Sequence, residues 1–549
     1  VARNILWIMC DQLRFDYLGC AGHPSLKTPH IDALAARGVR FTNAYVQSTI
    51  CGPSRMSAYT GRYVRSHGST YNGVPLRVGE PMLGDHLREA GMDCVLLGKT
   101  HMTPDRDGMA RLGIEADSLI GVRSAECGFD PFDRHDGLHP SKHPGGGGEA
   151  YQAYLRAKGY DGDNLWEEWT NSAEGPAGER LNGWLWAHSD KPARVAEADS
   201  ETAYLTDRAM AFIDGAIAKG KPWCAHLSYI KPHWPYLAPA PYHNLYGAED
   251  LLDPVRSESE LADPHPLYAA FTQERHALTL CRDGGRERVI PAYMGLIQQI
   301  DDHLGRLFAF LEDRGIADQT VIAFTSDHGD YLGDHWLGEK YLFHDASVKV
   351  PLILYDPAPE ADATRGTTSD ALVEMIDLAP TFLELAGAAP KPHVLEGHSL
   401  LPLLRDPTAG LARTHVFSEY DYASDQVRVK LGTSVQDSRL TMVFDGRWKM
   451  IDCRGLPPML FDLETDPDEL CDLGRAPGYD LIRARLFDAI RRWYHDGRNR
   501  ISCADTDFTQ ADELLRIGAD PVLKQGVVIG YWDEAELATA QALIAQAEG

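Results

Sequence analysis

Short apolar runs alternate along this chain with amphipathic stretches, and each of the strongest apolar runs empties into a polar cluster. Residues 5–9 are continuously apolar and end at Asp11-Gln12, the pattern of a strand buried on both faces. Residues 94–97 lead into Gly98-Lys99-Thr100-His101, and residues 223–229 into Ile230-Lys231-Pro232-His233-Trp234-Pro235-Tyr236. The β-branched run 320–325 leads into Ser326-Asp327-His328-Gly329-Asp330. Helical periods lie between them. Thr28-Pro29 opens one that runs to Ala36 and stops at Gly38, and residues 82–90, 201–218 and 291–311 follow. This alternation predicts an α/β fold with a mostly parallel sheet covered by helices on both faces, extended by residues 351–355 and 377–386. Open sheets of this kind bind ligands at the carboxyl edge of their strands, where the polar clusters fall.

Two regions break the pattern. Residues 103–198 are rich in Gly, Asp, Trp and Pro with weak periodicity, and read as a loop-rich insertion. Its glycine run, 145–148, lacks a following Lys-Ser/Thr and so reads as a flexible loop and not a phosphate loop. Beyond about residue 410, runs 440–444 and 447–451 flank Asp445-Gly446, a hairpin signal that predicts a smaller antiparallel-sheet subdomain with residues 459–463 as a further strand and 480–493 as its packing helix. The expected division is a catalytic domain over 1–409, the subdomain over 410–500, and a tail over 501–549 that is helical after Asp533 and suited to contacting a neighbouring subunit in a homo-oligomer.

A chain of 549 residues exceeds the size at which one core stops growing, which agrees with that division. Its net charge of −27 argues against nucleic-acid or anionic-membrane partners and leaves room for a locally cationic pocket. No run approaches a membrane span, and residues 1–9 are too short and too weakly cationic for a signal peptide. The ten cysteines form no CxxC pair, and several sit in apolar runs, so they read as reduced core residues of a cytoplasmic protein.

The chemistry concentrates at Ile50-Cys51-Gly52-Pro53-Ser54-Arg55, continuing to Thr60-Gly61-Arg62. Pro53 suits the first turn of a helix and Gly61 its end about two turns later, which places Cys51 at a helix N-terminus, a natural anion site. An isolated cysteine before a proline is ordinarily a core residue. Cys-x-Pro-Ser-Arg followed by Thr-Gly-Arg, however, resembles the signature of the type I sulfatases, whose cysteine is oxidised after translation to formylglycine. The hydrated aldehyde carries two hydroxyls on one carbon, so that one attacks sulfur and the other expels sulfate, a form of covalent catalysis.

Asp11, Gln12, Asp327 and His328 offer oxygen and imidazole ligands at neighbouring strand ends, a set suited to a divalent cation. The resemblance implies Ca²⁺ there, with the modified Cys51 as a further ligand; Gln12 departs from the Asp of many members, which leaves Mn²⁺ as an alternative. Asp334, His335 and Asp345 are further ligand-type residues in the same region. By the same resemblance Lys99 and Arg55 orient the reacting group and the sulfate, His101 takes a proton, and His233 and Lys340 contact sulfate and assist the leaving group. Asn72 and His344 are candidates for lining the substrate pocket. Trp234 and Tyr236 could contact an aryl group or simply pack loops.

The resemblance covers the chain to about residue 495 and implies an alkaline-phosphatase-like fold, hydrolysis of small-molecule sulfate monoesters and a formylglycine-generating maturation enzyme as partner. Phosphonate monoester hydrolases share the formylglycine and metal, and the Asp-Gln opening and long tail are similar to theirs. Phosphonate monoester or phosphodiester hydrolysis is therefore the alternative activity. A catalytically idle anion-binding protein is the alternative of another class.

Overall fold

The computed structural model describes residues 4–137, 149–509, 512–516, 518 and 521–548; the glycine run 145–148 lies outside them. The strands are β1 Asn4–Asp11, β2 Val39–Tyr45, β3 Asp93–Gly98, β4 Asp130–Arg134, β5 Ser172–Glu174, β6 Arg180–Asn182 and β7 Trp223–Pro232. They continue with β8 Thr320–Ser326, β9 Leu352–Tyr355, β10 Thr367–Glu374, β11 Val416–Asp421, β12 Arg439–Phe444, β13 Trp448–Cys453 and β14 Met459–Asp462. The main sheet has the order β10-β2-β9-β8-β1-β7-β3-β4, while β5 and β6 make a separate hairpin. Among its described strands only β9 runs antiparallel to its neighbours, β2 and β8. The parallel sheet is thus as expected, and the run 351–355 supplies its one reversed strand.

β1 lies at the centre, paired in parallel with β7 on one side and β8 on the other. Its alternate side chains face opposite layers. Leu6, Ile8 and Cys10 join the core that holds the helices Glu201–Lys219 and Gly285–Asp313 and α1 Pro29–Arg37. Trp7 points the other way, meeting Tyr59 of α2 Cys51–Thr60 and Phe382 of the helix Leu378–Leu385 with ring centroids 5.5 and 5.6 Å away. The ends of β8, β1, β7 and β3 are therefore four adjacent carboxyl termini, and all four carry residues singled out from the sequence.

β4 was not expected. Asp130-Pro131-Phe132-Asp133-Arg134 has no apolar run, and a proline is tolerated because the strand is the sheet's edge. The insertion also contains helices Arg106–Leu112, Leu119–Ala125 and Glu149–Ala157. The smaller sheet, β11-β12-β13-β14, is antiparallel as predicted, with the helix Asp480–His495 packed on it through Leu486, Ile490 and Trp493. In its hairpin the Asp445 carboxylate accepts from the N–H groups of Arg447 and Trp448 at 3.0 and 2.7 Å, and Gly446 takes the left-handed φ of 94°.

Two compact units result: Val1–Pro390 with Glu396–Gly497, which holds both sheets, and Lys391–Leu395 with Arg498–Gly549. In the second, the helix Glu534–Glu548 packs Ala540 and Ile544 against Leu523. Six cysteines are buried, whereas Cys20 and Cys281 are half-buried and Cys471 and Cys503 exposed, so the core reading does not hold for all ten. Among the described residues no helix is long and apolar enough to cross a membrane.

Gly98 closes β3 opposite Ser228 of β7 at a φ of 111°, and a Cβ there would lie 2.0 Å from the Ser228 carbonyl oxygen. Gly98→Ala combines a disfavoured backbone with a clash, and is expected to cost about 2 kcal/mol or more, measured as a lower urea midpoint at unchanged slope.

Candidate functional site

α2 begins at Cys51 and ends where Gly61 adopts the left-handed conformation, φ 65°, so the turn residues place both helix ends as the sequence implied. No side chain of the N-cap residue, Ile50, satisfies the first turn. Asn72 does so instead, its Oδ1 accepting from the Gly52 N–H at 2.8 Å. Asn72 therefore caps the helix that carries Cys51, with Gly52 leaving room for the approach: a Cβ there would stand 2.7 Å from Asn72 Oδ1.

Arg55 ties this helix to the sheet. Its guanidinium is wholly buried and reaches Asp327 Oδ2 at 2.7 Å, the Lys99 carbonyl at 2.9 Å, Ser228 Oγ at 2.7 Å and Asp11 Oδ2 at 3.4 Å. Those partners lie at the ends of β8, β3, β7 and β1. Lys99 Nζ is paired with the same Asp11 carboxylate. Burial opposes ionisation of Asp11, yet Lys99, His233 and Arg55 hold its carboxyl well below the usual range.

Around Cys51 Sγ stand His328 Nε2 at 3.1 Å, Lys340 Nζ at 3.2 Å and Asp11 Oδ1 at 3.6 Å. Burial raises the thiol's pKa, but Lys340, Lys99 and His328, with a hydrogen bond from His101, outweigh it and hold the thiol well below its ordinary value. Burial works equally against the Lys340 ammonium, and Cys51, Glu339 and Asp11 keep it charged. His233 meets Lys340 through Nε2 at 3.3 Å, its Nδ1 lying 2.8 Å from the Trp234 carbonyl oxygen. Burial lowers its pKa, Asp11 opposing and Lys340 adding to the effect. His101 sits at a left-handed φ of 55°, in a turn where the Asp136 carboxylate accepts from the N–H groups of Thr100 and His101 at 2.9 and 3.3 Å.

The ligand atoms of Asp11, Cys51, Asp327 and His328 lie within 4.8 Å of one another and all four residues are buried. Gln12 adds to the group. Its backbone N–H donates to Asp327 Oδ1 at 3.0 Å and its amide nitrogen to Asp330 Oδ2 at 2.6 Å, which leaves Oε1 facing Lys340 Nζ at 3.1 Å. Two carboxylates, an amide oxygen and an imidazole fit a divalent cation. The other ligand-type residues of the region are engaged elsewhere: Asp334 with Arg14, His335 with Glu260, and Asp345 with Lys449. A second acidic group, His30 with Asp301 and Asp302, is structural, because Asp301 accepts from the His30 and Ile31 N–H groups at the start of α1.

His344 does not join the cluster. It stacks on His335 with centroids 3.9 Å apart, its Nδ1 lies 2.8 Å from the Tyr331 hydroxyl, and it lines a cavity of about 490 Å³ whose walls include no member of the Cys51 group. Tyr236 is fully buried, donating to Asp330 Oδ2 at 2.6 Å beneath Gln12. Trp234 packs between Trp184 and His233. Sequence reasoning missed Ser228, Asp136 and Asp330, which touch the site residues through hydrogen bonds that no motif announces. It missed too that the loop carrying Lys340 is bent by left-handed residues, Leu332, His335, Trp336, Glu339 and Tyr341, with φ from 49° to 100°.

Comparison with known proteins agrees with this constellation. The family model "Sulfatase" matches residues 3–388, and that of the N-sulphoglucosamine sulphohydrolase C-terminal region matches residues 333–496. The multifunctional alkaline phosphatase superfamily protein PehA of Trinickia caryophylli is 34% identical over 536 residues, spanning 92% of this chain and 97% of that protein. An arylsulfatase of Clostridium perfringens is 27% identical over 528 residues, or 93% and 97% of the two chains. Among solved structures, a phosphonate monoester hydrolase from Silicibacter pomeroyi superposes with a TM-score of 0.79 at 29% identity, covering 91% of this chain and 96% of that one.

Removing Arg55 would leave Asp327 and Asp11 buried without their common partner. Arg55→Ala is expected to lower stability by roughly 3–5 kcal/mol, read by urea unfolding; a loss below 1 kcal/mol would show that Lys99 alone compensates the two carboxylates.

Proposed function

The chain belongs to the sulfatase family of the alkaline phosphatase superfamily, and from that premise we propose that it hydrolyses small-molecule sulfate monoesters at residue 51. The observation that carries this reading is the polar ring around Cys51 Sγ, with the Lys340 ammonium at 3.2 Å and the His328 imidazole at 3.1 Å, at the start of a helix held down by Arg55. Such a ring suits a tetrahedral monoanion better than it suits an apolar or cationic ligand.

Converted to formylglycine, residue 51 supplies a hydrated aldehyde with one hydroxyl to attack and one to expel the product, while a divalent cation on Asp11, Gln12, Asp327 and His328 supplies Lewis-acid stabilisation. The oxygen majority of that donor set favours Ca²⁺, and the imidazole keeps Mn²⁺ as the alternative. Arg55 and Lys99 neutralise Asp11 and fix its orientation. His101, in the turn that Asp136 fixes at the end of β3, would accept a hydroxyl proton from the modified residue. Lys340 provides positive charge beside the leaving oxygen, and His233, whose Nε2 lies 3.3 Å from its Nζ, assists the leaving group's departure. Cys51 is only 1% exposed, so a separate maturation enzyme would have to reach it before the fold closes.

One observation favours a second reading at the same site. Gln12 places a neutral amide oxygen where a carboxylate would add negative charge, and phosphonate monoesters, like sulfate monoesters, are monoanions. Against it, Lys99 and His101 keep the Lys-x-His element from which the phosphonate monoester hydrolases usually depart.

Two outcomes follow. Mass spectrometry of the Cys51 peptide, after expression with a formylglycine-generating enzyme, is expected to show sulfur replaced by aldehyde oxygen, and Cys51→Ala to lose at least about 10³-fold in kcat with its fold intact; active protein carrying only unmodified cysteine would defeat the proposal. For the matured enzyme, kcat/KM on phenyl sulfate is expected to exceed that on a matched phenyl phosphonate monoester. The reverse order would make Gln12 the better guide, and tight sulfate binding with no turnover of either would indicate an anion-binding protein.

A further inference from the structure

Three buried ionisable groups near the His233 loop have no place in the chemistry above. Lys231 lies at the end of β7, two residues before His233; Glu201 opens the helix Glu201–Lys219; His135 follows β4. None is more than 5% exposed. Lys231 Nζ faces Glu201 Oε1 at 3.3 Å, and Glu201 Oε2 lies 3.7 Å from His135 Nε2. Burial opposes ionisation of Glu201, but Lys231 and His135 outweigh it and hold the carboxyl below its usual range. The support is firm on both sides. The His135 ring packs on Tyr151 and Trp166 with centroids 5.1 and 4.7 Å away, and Ser200 Oγ caps the helix by accepting from the Ala203 N–H.

Lys231 aims its remaining protons at the loop that carries His233. Its Nζ donates to the Pro235 carbonyl at 3.0 Å and to the His233 carbonyl at 3.4 Å. Between those two carbonyls is that of Trp234, 2.8 Å from His233 Nδ1, and the His233 N–H donates back to the Ile230 carbonyl at 3.2 Å. With Nδ1 held in this way, Nε2 is the nitrogen presented to Lys340 Nζ at 3.3 Å. An ammonium has three protons, and here they are divided between Glu201 and the two loop carbonyls. A buried ion pair is seldom a gain over apolar side chains of the same volume, so its placement calls for another reason. The loop it grips supplies one.

We propose that Lys231 is a positioning residue for His233 and that Glu201 holds it in that role. By gripping the carbonyls on either side of Trp234, Lys231 fixes the peptide to which the His233 ring is bonded. That keeps Nε2 beside Lys340, where departure of the leaving group is assisted. The inference rests on the ester-hydrolase reading above and adds to it what aims the imidazole. Lys231 acts through His233 alone: among the described residues it makes no hydrogen bond to Cys51 or Lys340.

The test compares 4-nitrophenyl and phenyl esters of whichever acid the matured enzyme turns over. Phenolate is the poorer leaving group and needs more help to depart. Lys231→Met, which keeps the stem and removes the ammonium, is therefore expected to lower kcat/KM about tenfold for the phenyl ester and less than about threefold for the 4-nitrophenyl ester. In a His233→Ala background the same change is expected to cost less than about twofold on either ester. Equal losses on the two esters, or an undiminished loss in the His233→Ala background, would overturn the proposal and leave Lys231 as part of the core. Because Lys231→Met leaves Glu201 as a lone buried charge, Lys231→Met combined with Glu201→Gln is the second variant, with the same expected ratio. A readout independent of turnover is the crystal structure of that double variant, in which His233 Nε2 is expected to move about 1 Å or more relative to Lys340 Nζ; an unmoved ring would overturn the proposal. If the wild-type protein hydrolyses neither ester, the functional reading fails while the position of the ring still decides this one.

Discussion

One buried guanidinium organises this protein. Arg55 touches the carboxyl ends of four adjacent strands at once, through Asp327, Lys99, Ser228 and Asp11. Desolvating an arginine is costly, and the cost is offset only if every neighbour is placed to accept its protons or its charge. Meeting that condition fixes the register of β8, β1, β7 and β3 relative to one another and the depth at which α2 meets them. Cys51, one turn earlier on the same helix, inherits that placement.

The charges around Cys51 follow from the same arrangement. Asp11 and Asp327 are paired in the interior with Arg55 and Lys99, and their remaining oxygens turn toward His328 and Gln12, forming a compact group of metal-type donors. Lys340 arrives from a different direction, on a loop whose left-handed residues cost conformational energy of about 1–3 kcal/mol each by the general rule. The core helix Gly285–Asp313 helps to hold that loop in place, with Arg286 donating from Nε to the Leu332 carbonyl at 2.9 Å. Strain tolerated in this way is consistent with a site that must present an ammonium group to an anion without reorganising.

Much of the site was legible because its chemistry sits in short linear words at strand ends. Asp11-Gln12, Lys99-Thr100-His101, His233 and Asp327-His328 could all be found by following apolar runs to their polar termini, and the cysteine motif gave the helix, its turn residues and its neighbours Ser54 and Arg55. What could not be read were the pairings. Asn72, singled out as a candidate for lining the pocket, also caps the helix of Cys51, a role not legible in the sequence because a cap supplied from twenty residues away leaves no local pattern. His344 carries the right chemistry three residues beyond Tyr341, yet its ring turns to Tyr331 and His335. β4 was invisible because an edge strand has no need of an apolar run.

The sequence alone determined the class of fold, the family resemblance and the candidate for the reacting residue, because strand and helix periods and a contiguous motif are local properties of a chain. Only the tertiary structure decided which of many acids, histidines and tyrosines share a space. Asp327 and Asp334 are seven residues apart and equally acidic, but one lies against Arg55 in the cluster and the other against Arg14 outside it. That distinction depends on distances between segments remote in sequence, and those distances exist only once the core has packed.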